Sequence, residues 1–185
     1  MNKSLFSLRS MAEISLYATL IFLSIQVLKI PTGGSQFIHF GNAMVVVGCL
    51  LFGSKKGAFA AAIGLGIYDI LNGYVSVVGI TILESLIVAF VIYVLYEKTL
   101  HSKDNIKNVI FVAVIAAITK IILNLIKYTL TGVFVGNLSI DVSFGAAVLK
   151  IIGTYGSSLA TVIAVPILYP ILKSVFSNLK NAKTL

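Results

Sequence analysis

Charged residues are scarce in this sequence. Only 11% of the 185 residues are Asp, Glu, Lys or Arg, whereas 58% are hydrophobic and the mean hydropathy is +1.05. Such a composition excludes an ordinary soluble domain. A membrane-spanning helix needs about 20 largely apolar residues, so the chain has room for about six spans and little else. A separate extramembrane domain for nucleotide binding or catalysis is therefore not expected.

The side chains that build disulfides, metal centres and active sites are also few. Cys49 is the single cysteine, so an internal disulfide is excluded, and its position in an apolar run predicts a packing role. An intramembrane enzyme needs a nucleophile and a base at matching depth, but His39 and His101 fall in loops on opposite sides. Asp69 and Glu84 lack the spacing of a metal site, and no ATPase motif is present. We therefore predict no enzymatic activity, no metal and no cofactor.

The long apolar runs predict an all-α integral membrane protein with a single domain over residues 1–185. Six transmembrane helices are expected, over residues 11–30, 42–52, 57–71, 79–96, 108–130 and 146–175. Pro31 should end the first helix, and Pro166 and Pro170 should kink or end the last one. Residues 131–144 are expected to form a polar loop.

Basic residues are distributed unevenly between the predicted loops. With the N-terminus inside, the inner segments contain Lys3, Arg9, Lys55, Lys56, Lys98, Lys103, Lys107, Lys173, Lys180 and Lys183. The outer loops contain none beyond Lys29, at the end of the first helix. Because basic residues gather on the cytoplasmic side, we predict cytoplasmic N- and C-termini in a multi-pass protein of the cell membrane. This topology accounts for the net charge of +8, so no nucleic acid partner is expected.

The first predicted outer loop is long and contains several glycines. Within residues 31–45 it carries Gln36, His39 and Asn42, which present hydrogen-bond donors and acceptors without a net charge. Such a loop suits the binding of a small polar ligand at the membrane face. The alternative is a simple connector between helices, because loops are commonly rich in Gly and Asn.

Polar residues within the predicted helices gather on the same side of the membrane as this loop. Lys120, Asn124 and Lys127 share one face of the fifth helix by their i, i+4, i+7 spacing. Glu84 of the fourth helix could neutralise either lysine. Ionisable groups in a membrane are costly unless they face a cavity or a partner. We therefore predict that these residues face a ligand; the alternative is an ion pair that only pins the helices together.

Two further ionisable residues on this side, Asp69 and Lys150, are interpreted as structural. Asp69 lies near the outer end of the third helix. Lys150 could extend its ammonium group to the lipid headgroups, because long basic side chains reach from apolar positions to the interface.

Small residues form continuous faces on two predicted helices. The first helix carries Ala12, Ser15 and Thr19, and the third carries Ala58 and Ala62 one turn apart. Small residues let helix backbones approach closely in lipid. The spacing fits an internal contact and a contact with a partner equally well.

The whole chain resembles the substrate-binding S components of energy-coupling factor (ECF) vitamin transporters. The resemblance is carried by six short spans, a long first outer loop that leads into Phe40-Gly41-Asn42, the small-residue faces and the outward polar cluster. It implies a bundle of six transmembrane helices that binds a water-soluble vitamin or precursor from outside. The ligand would lie beneath the first loop and among helices 4 to 6.

The resemblance also implies the partners. In this family the loaded S component topples in the membrane while docked on a transmembrane coupling subunit (the T component), which two cytoplasmic ATPases drive. The usual contact is an Ala-xxx-Ala pattern on the first helix, and Ser15 to Thr19 is its nearest equivalent here. The residues predicted to contact the coupling subunit are Ala12, Ser15, Thr19, Ala58 and Ala62.

Residues 37–42 and the smooth third helix are similar to members that take hydroxymethylpyrimidine or pyridoxine. For such a ligand, Glu84 could accept a hydrogen bond from an amino or hydroxymethyl group. Asn124 and His39 could complement ring nitrogens. The predicted substrate-binding residues are Gln36, His39, Asn42, Tyr74, Glu84, Lys120, Asn124, Lys127 and Tyr155.

Other ligands stay open as alternatives. Tyr74 or Tyr155 could stack on a flat ring of the hydroxymethylpyrimidine or pyridoxine type, and riboflavin is a further alternative ligand. Lys120 and Lys127 would suit a carboxylate, as in pantothenate, unless Glu84 already neutralises one of them.

An autonomous secondary transporter is the alternative from a different class. Such transporters normally show an internal repeat with broken helices in corresponding halves. A comparison of residues 1–97 with residues 98–185 gives no convincing repeat.

Overall fold

The computed structural model describes residues 7–32 and 37–181. Within these ranges the chain forms seven α-helices and one short β-hairpin, in agreement with an all-α fold class. The helices are α1 (Leu8–Gln26), α2 (Gly41–Phe52), α3 (Ser54–Leu71), α4 (Val78–Ile92), α5 (Ile106–Phe134), α6 (Ile140–Lys150) and α7 (Ile152–Asn181). The antiparallel hairpin pairs β1 (Ile30–Pro31) with β2 (Phe37–Ile38).

Local sequence signals set several helix ends. Ser7 caps α1 by accepting a hydrogen bond from the Ser10 backbone N–H at 3.2 Å, and Asn105 caps α5 by accepting one from Asn108 at 2.9 Å. These side-chain oxygens satisfy N–H groups that a helix start leaves unpaired. Gly53 adopts a positive φ of 84°, which glycine takes at little cost. This residue alone separates α2 from α3.

Several helices have the length and composition of membrane spans. The segments that qualify are Leu8–Gln26, Val75–Thr99, Ile106–Phe134 and Ile152–Asn178. The second of these contains α4 and ends in a π-helix over Tyr93–Thr99. On the outside of α5, the exposed side chains include Ile110, Ile118, Ile122 and Ile126, as expected for a surface in contact with lipid. The count of six spans and the side of the termini stay predictions.

The core lies around α2, which is buried over residues 43–50. It packs against α3 and α7, and α1 packs against α3. Tyr17 of α1 is fully buried, and its hydroxyl donates a hydrogen bond to the Met44 carbonyl at 3.0 Å, so this polar group is satisfied inside the core. Cys49 is buried in the same core, which confirms its predicted packing role.

The segment predicted as a polar loop over residues 131–144 is largely helical. α5 continues to Phe134, and α6 begins at Ile140. Asp141 stands in the first turn of α6, where a negative charge favours a helix start. α6 packs along α5, so tertiary contact stabilises a helix that the polar composition of this segment conceals.

The last predicted helix, over residues 146–175, is interrupted. α6 ends at Lys150 and α7 begins at Ile152, with a non-helical backbone at Ile151 (φ −87°, ψ 26°). Ile151 is fully buried, so the break is anchored in the interior. Pro166 and Pro170 lie inside α7 and do not end it.

Candidate functional site

The β-hairpin closes one end of the bundle. Ile30 pairs with Ile38 and Pro31 with Phe37. The first helix therefore ends at Gln26 rather than at Ile30 as predicted. Pro31 favours extended backbone at the residue before it, which suits the pairing of Ile30 with Ile38.

Two contacts hold β2 against α7. The backbone N–H of His39 donates a hydrogen bond to Ser157 Oγ at 3.1 Å. Next to it, Ile38 covers Gly156 so closely that a Cβ at this glycine would lie 2.3 Å from Ile38 Cδ1. The position of the hairpin thus depends on a Gly-Ser pair of α7.

The ring of His39 lies between β2 and α2, outside the helices. Its Nδ1 accepts a hydrogen bond from the backbone N–H of Gly41 at 3.1 Å, so the neutral ring carries its proton on Nε2. Burial, and secondarily the positive charge of Lys120, lowers the pKa of His39 from 6.5 to about 4. At neutral pH the ring is therefore uncharged and offers one N–H donor.

A cavity of about 310 Å³ lies beneath the hairpin. The predicted substrate-binding residues that line it are His39, Asn42, Tyr74, Glu84, Lys120, Asn124 and Lys127. Gln36 lies outside the described residues. Tyr155 is exposed and absent from the lining, because Thr154 and Ser157 face the cavity and the helical repeat turns Tyr155 away. The structure thus brings together the hairpin and the polar faces of α4 and α5.

One wall of the cavity is aromatic. The rings of Tyr68 and Tyr74 are nearly parallel, at 19°, with centroids 6.3 Å apart. Phe37 lies 6.0 Å from Tyr68 and 6.3 Å from Tyr74, and 5.5 Å from the ring of His39. Such a group of rings can pack against the face of an aromatic ligand.

Another wall carries charge. Glu84 Oε2 contacts Lys120 Nζ, Glu84 Oε1 lies 2.9 Å from Lys127 Nζ, and Asn124 Nδ2 donates to the carboxylate at 3.4 Å. The Glu84 side chain is only 8% exposed. The prediction that Glu84 neutralises a lysine is confirmed, and both lysines share it. Within the part of the chain that the structure describes, no three His, Cys, Asp or Glu side chains are grouped to hold a metal.

Lys150 lies beside this charged wall but does not line the cavity. Its Nζ is 4.6 Å from the ring centroid of Tyr128, and Lys127 Nζ is 4.8 Å from the same centroid. Tyr128 does line the cavity. A ring face attracts a cation, so Tyr128 gives Lys150 a partner inside the protein.

Residues of α3 also line the cavity, although none of them was among the substrate-binding residues predicted from the sequence. Leu65, Tyr68 and Asp69 all line the cavity, although Asp69 was expected to be structural. The signal in the sequence is their i, i+3, i+4 spacing, which places the three side chains on one helix face. Thr81 of α4 and Thr154 and Ser157 of α7 line the cavity as well.

The residues predicted to contact a coupling subunit fall into two groups. On α1, Ala12, Ser15 and Thr19 are exposed. On α3, Ala58 and Ala62 are partly buried. For close packing, α3 uses Gly64 against α1 and Gly57 against α2. The face of α1 is the more accessible of the two.

The chain is similar to known proteins in both its sequence and its structure. The family model described as "ECF-type riboflavin transporter, S component" matches residues 5–174. The structure is similar to that of ThiT from Listeria monocytogenes, with a TM-score of 0.59 and 19% sequence identity over 91% of this chain and 94% of that chain. At this identity the likeness concerns the fold alone. No curated protein matches the sequence.

Proposed function

The chain belongs to the family of ECF-type riboflavin transporter S components, and from this premise we propose that it captures a water-soluble vitamin or precursor with a single aromatic ring. Members of this family are vitamin-binding subunits of transporters and not enzymes, and the chain is a multi-pass protein of the plasma membrane. The best candidates for the ligand are hydroxymethylpyrimidine and pyridoxine. The cavity beneath the hairpin carries this proposal.

The size of the cavity supports a small ligand. Its volume of about 310 Å³ is at the lower end of the range of ligand pockets, about 300–1,000 Å³. A single ring with short polar substituents fits within such a space and leaves room for water, and the volume alone does not separate it from the larger riboflavin. Riboflavin remains the second candidate, because it is the vitamin in the description of the matching family.

The chemistry of the walls supports a flat, polar ring. Phe37, Tyr68 and Tyr74 provide a surface on which the ring can pack. At its edge, His39 supplies an N–H donor, and Glu84 can accept from an amino or hydroxyl group. An ammonium group has three donors. Lys120 and Lys127 therefore keep N–H groups that can donate to ring nitrogens or hydroxyl oxygens of the ligand.

The charge balance argues against a carboxylate ligand such as pantothenate. Glu84 already contacts the ammonium groups of Lys120 and Lys127. A carboxylate on the ligand would have to compete with Glu84 and would be repelled by both Glu84 and Asp69, which line the same cavity, because like charges repel strongly in a desolvated site. We therefore favour an uncharged ligand.

Delivery of the ligand requires partners. We propose that the exposed face of α1, with Ala12, Ser15 and Thr19, docks on a transmembrane coupling subunit driven by two cytoplasmic ATPases. Small residues at this face allow the close helix contact that lipid-embedded interfaces use. The hairpin end of the bundle would then face outward, as the distribution of basic residues predicts.

Uptake by proteoliposomes tests this function. Labelled hydroxymethylpyrimidine or pyridoxine should bind to the chain alone, and it should enter the vesicles only when a coupling subunit, both ATPases and ATP are present. The control is the same complete preparation with a nonhydrolysable ATP analogue. Full-rate uptake by the chain alone, lost when the ion gradient is collapsed, would identify a secondary transporter instead.

A further inference from the structure

We infer that Asp69, together with the hydroxyl group of Tyr68, is a second anchor for the ligand and recognises a hydrogen-bond donor such as an exocyclic amino group. The inference rests on the proposed function and adds α3 to the binding site. It also narrows the substrate class to rings that carry a donor on one edge and acceptors elsewhere.

Burial without a partner is the first observation. Asp69 is 7% exposed and Tyr68 is 3% exposed. Neither Asp69 Oδ2 nor the Tyr68 hydroxyl has a hydrogen-bond partner within the described part of the chain. Buried polar atoms are nearly always satisfied, and both of these residues line the same cavity. A ligand in the cavity is the natural partner for both.

The backbone holds these two side chains in place. The carbonyl of Tyr68 accepts a hydrogen bond from Asn72 Nδ2 at 2.9 Å, and the carbonyl of Asp69 accepts one from the Tyr74 backbone N–H at 2.7 Å. Tyr74 also stacks on Tyr68. The end of α3 is therefore fixed through its main chain, while Asp69 Oδ2 and the Tyr68 hydroxyl keep no hydrogen-bond partner within the described residues.

Charge pairing does not explain Asp69. Glu84 takes both lysines of the cavity, and within residues 7–32 and 37–181 Asp69 has no cation within 4 Å. Thr81 is close enough to hydrogen-bond one side of the carboxylate. A buried carboxylate has acceptor capacity for several donors, so Asp69 keeps capacity that the protein does not use.

Asp69 and the two lysines of the charged wall offer the ligand complementary hydrogen-bonding groups. Asp69 Oδ2 accepts hydrogen bonds, whereas the ammonium groups of Lys120 and Lys127 donate them. A ring with an amino or hydroxyl group on one edge and ring nitrogens on another would satisfy both. An aminopyrimidine has this pattern.

The test is a calorimetric titration of the full chain in detergent with two probes, hydroxymethylpyrimidine and its analogue with hydrogen in place of the amino group. Asp69→Asn should weaken binding of the first probe by about tenfold or more and leave binding of the analogue nearly unchanged. Asp141→Asn, at an exposed carboxylate of α6, is the matched control and should bind both probes as the unaltered chain does. Tyr68→Phe should weaken binding of hydroxymethylpyrimidine roughly fivefold, and Tyr155→Phe should leave this binding unchanged.

A second readout separates a binding role from a structural one. Because Asn keeps one side-chain oxygen and removes an unpaired charge, the ligand-free Asp69→Asn chain should melt at the same temperature as the unaltered chain or higher. Two results would overturn this inference and leave the proposed function standing. One is a melting temperature of ligand-free Asp69→Asn several degrees below that of the unaltered chain, and the other is equal affinity of the two chains for hydroxymethylpyrimidine. Failure of the unaltered chain to bind any ring vitamin would overturn the proposed function and this inference with it.

Discussion

The charged wall of the cavity gives the sharpest prediction, the effect of Glu84→Gln. This substitution keeps the shape of the side chain and removes its charge. Lys120 and Lys127, whose side chains are 14% and 24% exposed, would then lie close together without a counterion. We expect both the stability and the ligand affinity of the chain to fall.

The magnitude follows from the burial of the cluster. Removing one partner of a buried ion pair costs about 3–5 kcal/mol, because the remaining charge stays desolvated. Removing all the charges together is much less costly. The triple variant Glu84→Gln, Lys120→Met, Lys127→Met should therefore recover most of the stability of the unaltered chain. It should not recover ligand binding, since it lacks the polar groups of this wall.

Glu13→Gln is the matched control. Glu13 also contacts two cations, Lys56 at 2.6 Å and Arg9 at 3.2 Å, but it lies on α1 away from the cavity. Arg9 is 54% exposed, whereas Lys56 and Glu13 are 18% and 19% exposed. We therefore expect a cost between that of a surface pair, about 1 kcal/mol, and that of Glu84→Gln, and unchanged ligand binding.

Thermal melting in detergent and calorimetric titration measure the two effects separately. A Glu84→Gln variant that melts no lower than Glu13→Gln, or a triple variant as unstable as Glu84→Gln, would contradict this prediction. Tight ligand binding by the triple variant would show that this wall does not contact the ligand.

Three further predictions concern the hairpin and the proposed docking face. Gly156→Ala should cost about 1–3 kcal/mol through overpacking and weaken ligand binding, and adding Ile38→Ala should restore both; no restoration would mean that the close contact does not position the hairpin. Because the pKa of His39 is lowered to about 4, the unfolded chain binds this proton before the folded chain does, so stability should fall as the pH decreases from 6.5 toward 4. Melting curves of His39→Gln should lose that part of the pH dependence, and an unchanged profile would contradict the assignment. Ser15→Trp or Thr19→Trp should abolish ATP-driven uptake while the isolated chain still binds ligand, whereas normal uptake by both variants would remove α1 from the docking surface.

Much of the fold follows from the sequence because a membrane simplifies the problem. Apolar runs of sufficient length predict helices, and α2 begins within one residue of its expected position. The prediction failed where tertiary contacts decide the structure. The glycines, Asn137 and Ser139 that precede α6 favour a loop in the sequence, and the break at Ile151 falls within an apolar pair, Ile151–Ile152, that by itself favours a continuous helix.

The site was predictable where burial of charge is costly. Glu84, Lys120 and Lys127 lie in apolar helices, and a bundle must bring such residues together or into a cavity. The prediction was weaker for residues whose role depends on the direction in which the side chain points. Asp69 looks like a helix-end residue in the sequence, and Tyr155 is indistinguishable from a cavity tyrosine until the orientation of α7 is known.

The proposed ligand class is tested most directly by calorimetric titration of the isolated chain, stripped of any bound ligand, with hydroxymethylpyrimidine, pyridoxine, pantothenate, riboflavin and thiamine in parallel. Our account predicts tight one-to-one binding of hydroxymethylpyrimidine or pyridoxine and much weaker binding of riboflavin and pantothenate. Tight binding of riboflavin with no measurable binding of either single-ring vitamin would contradict it.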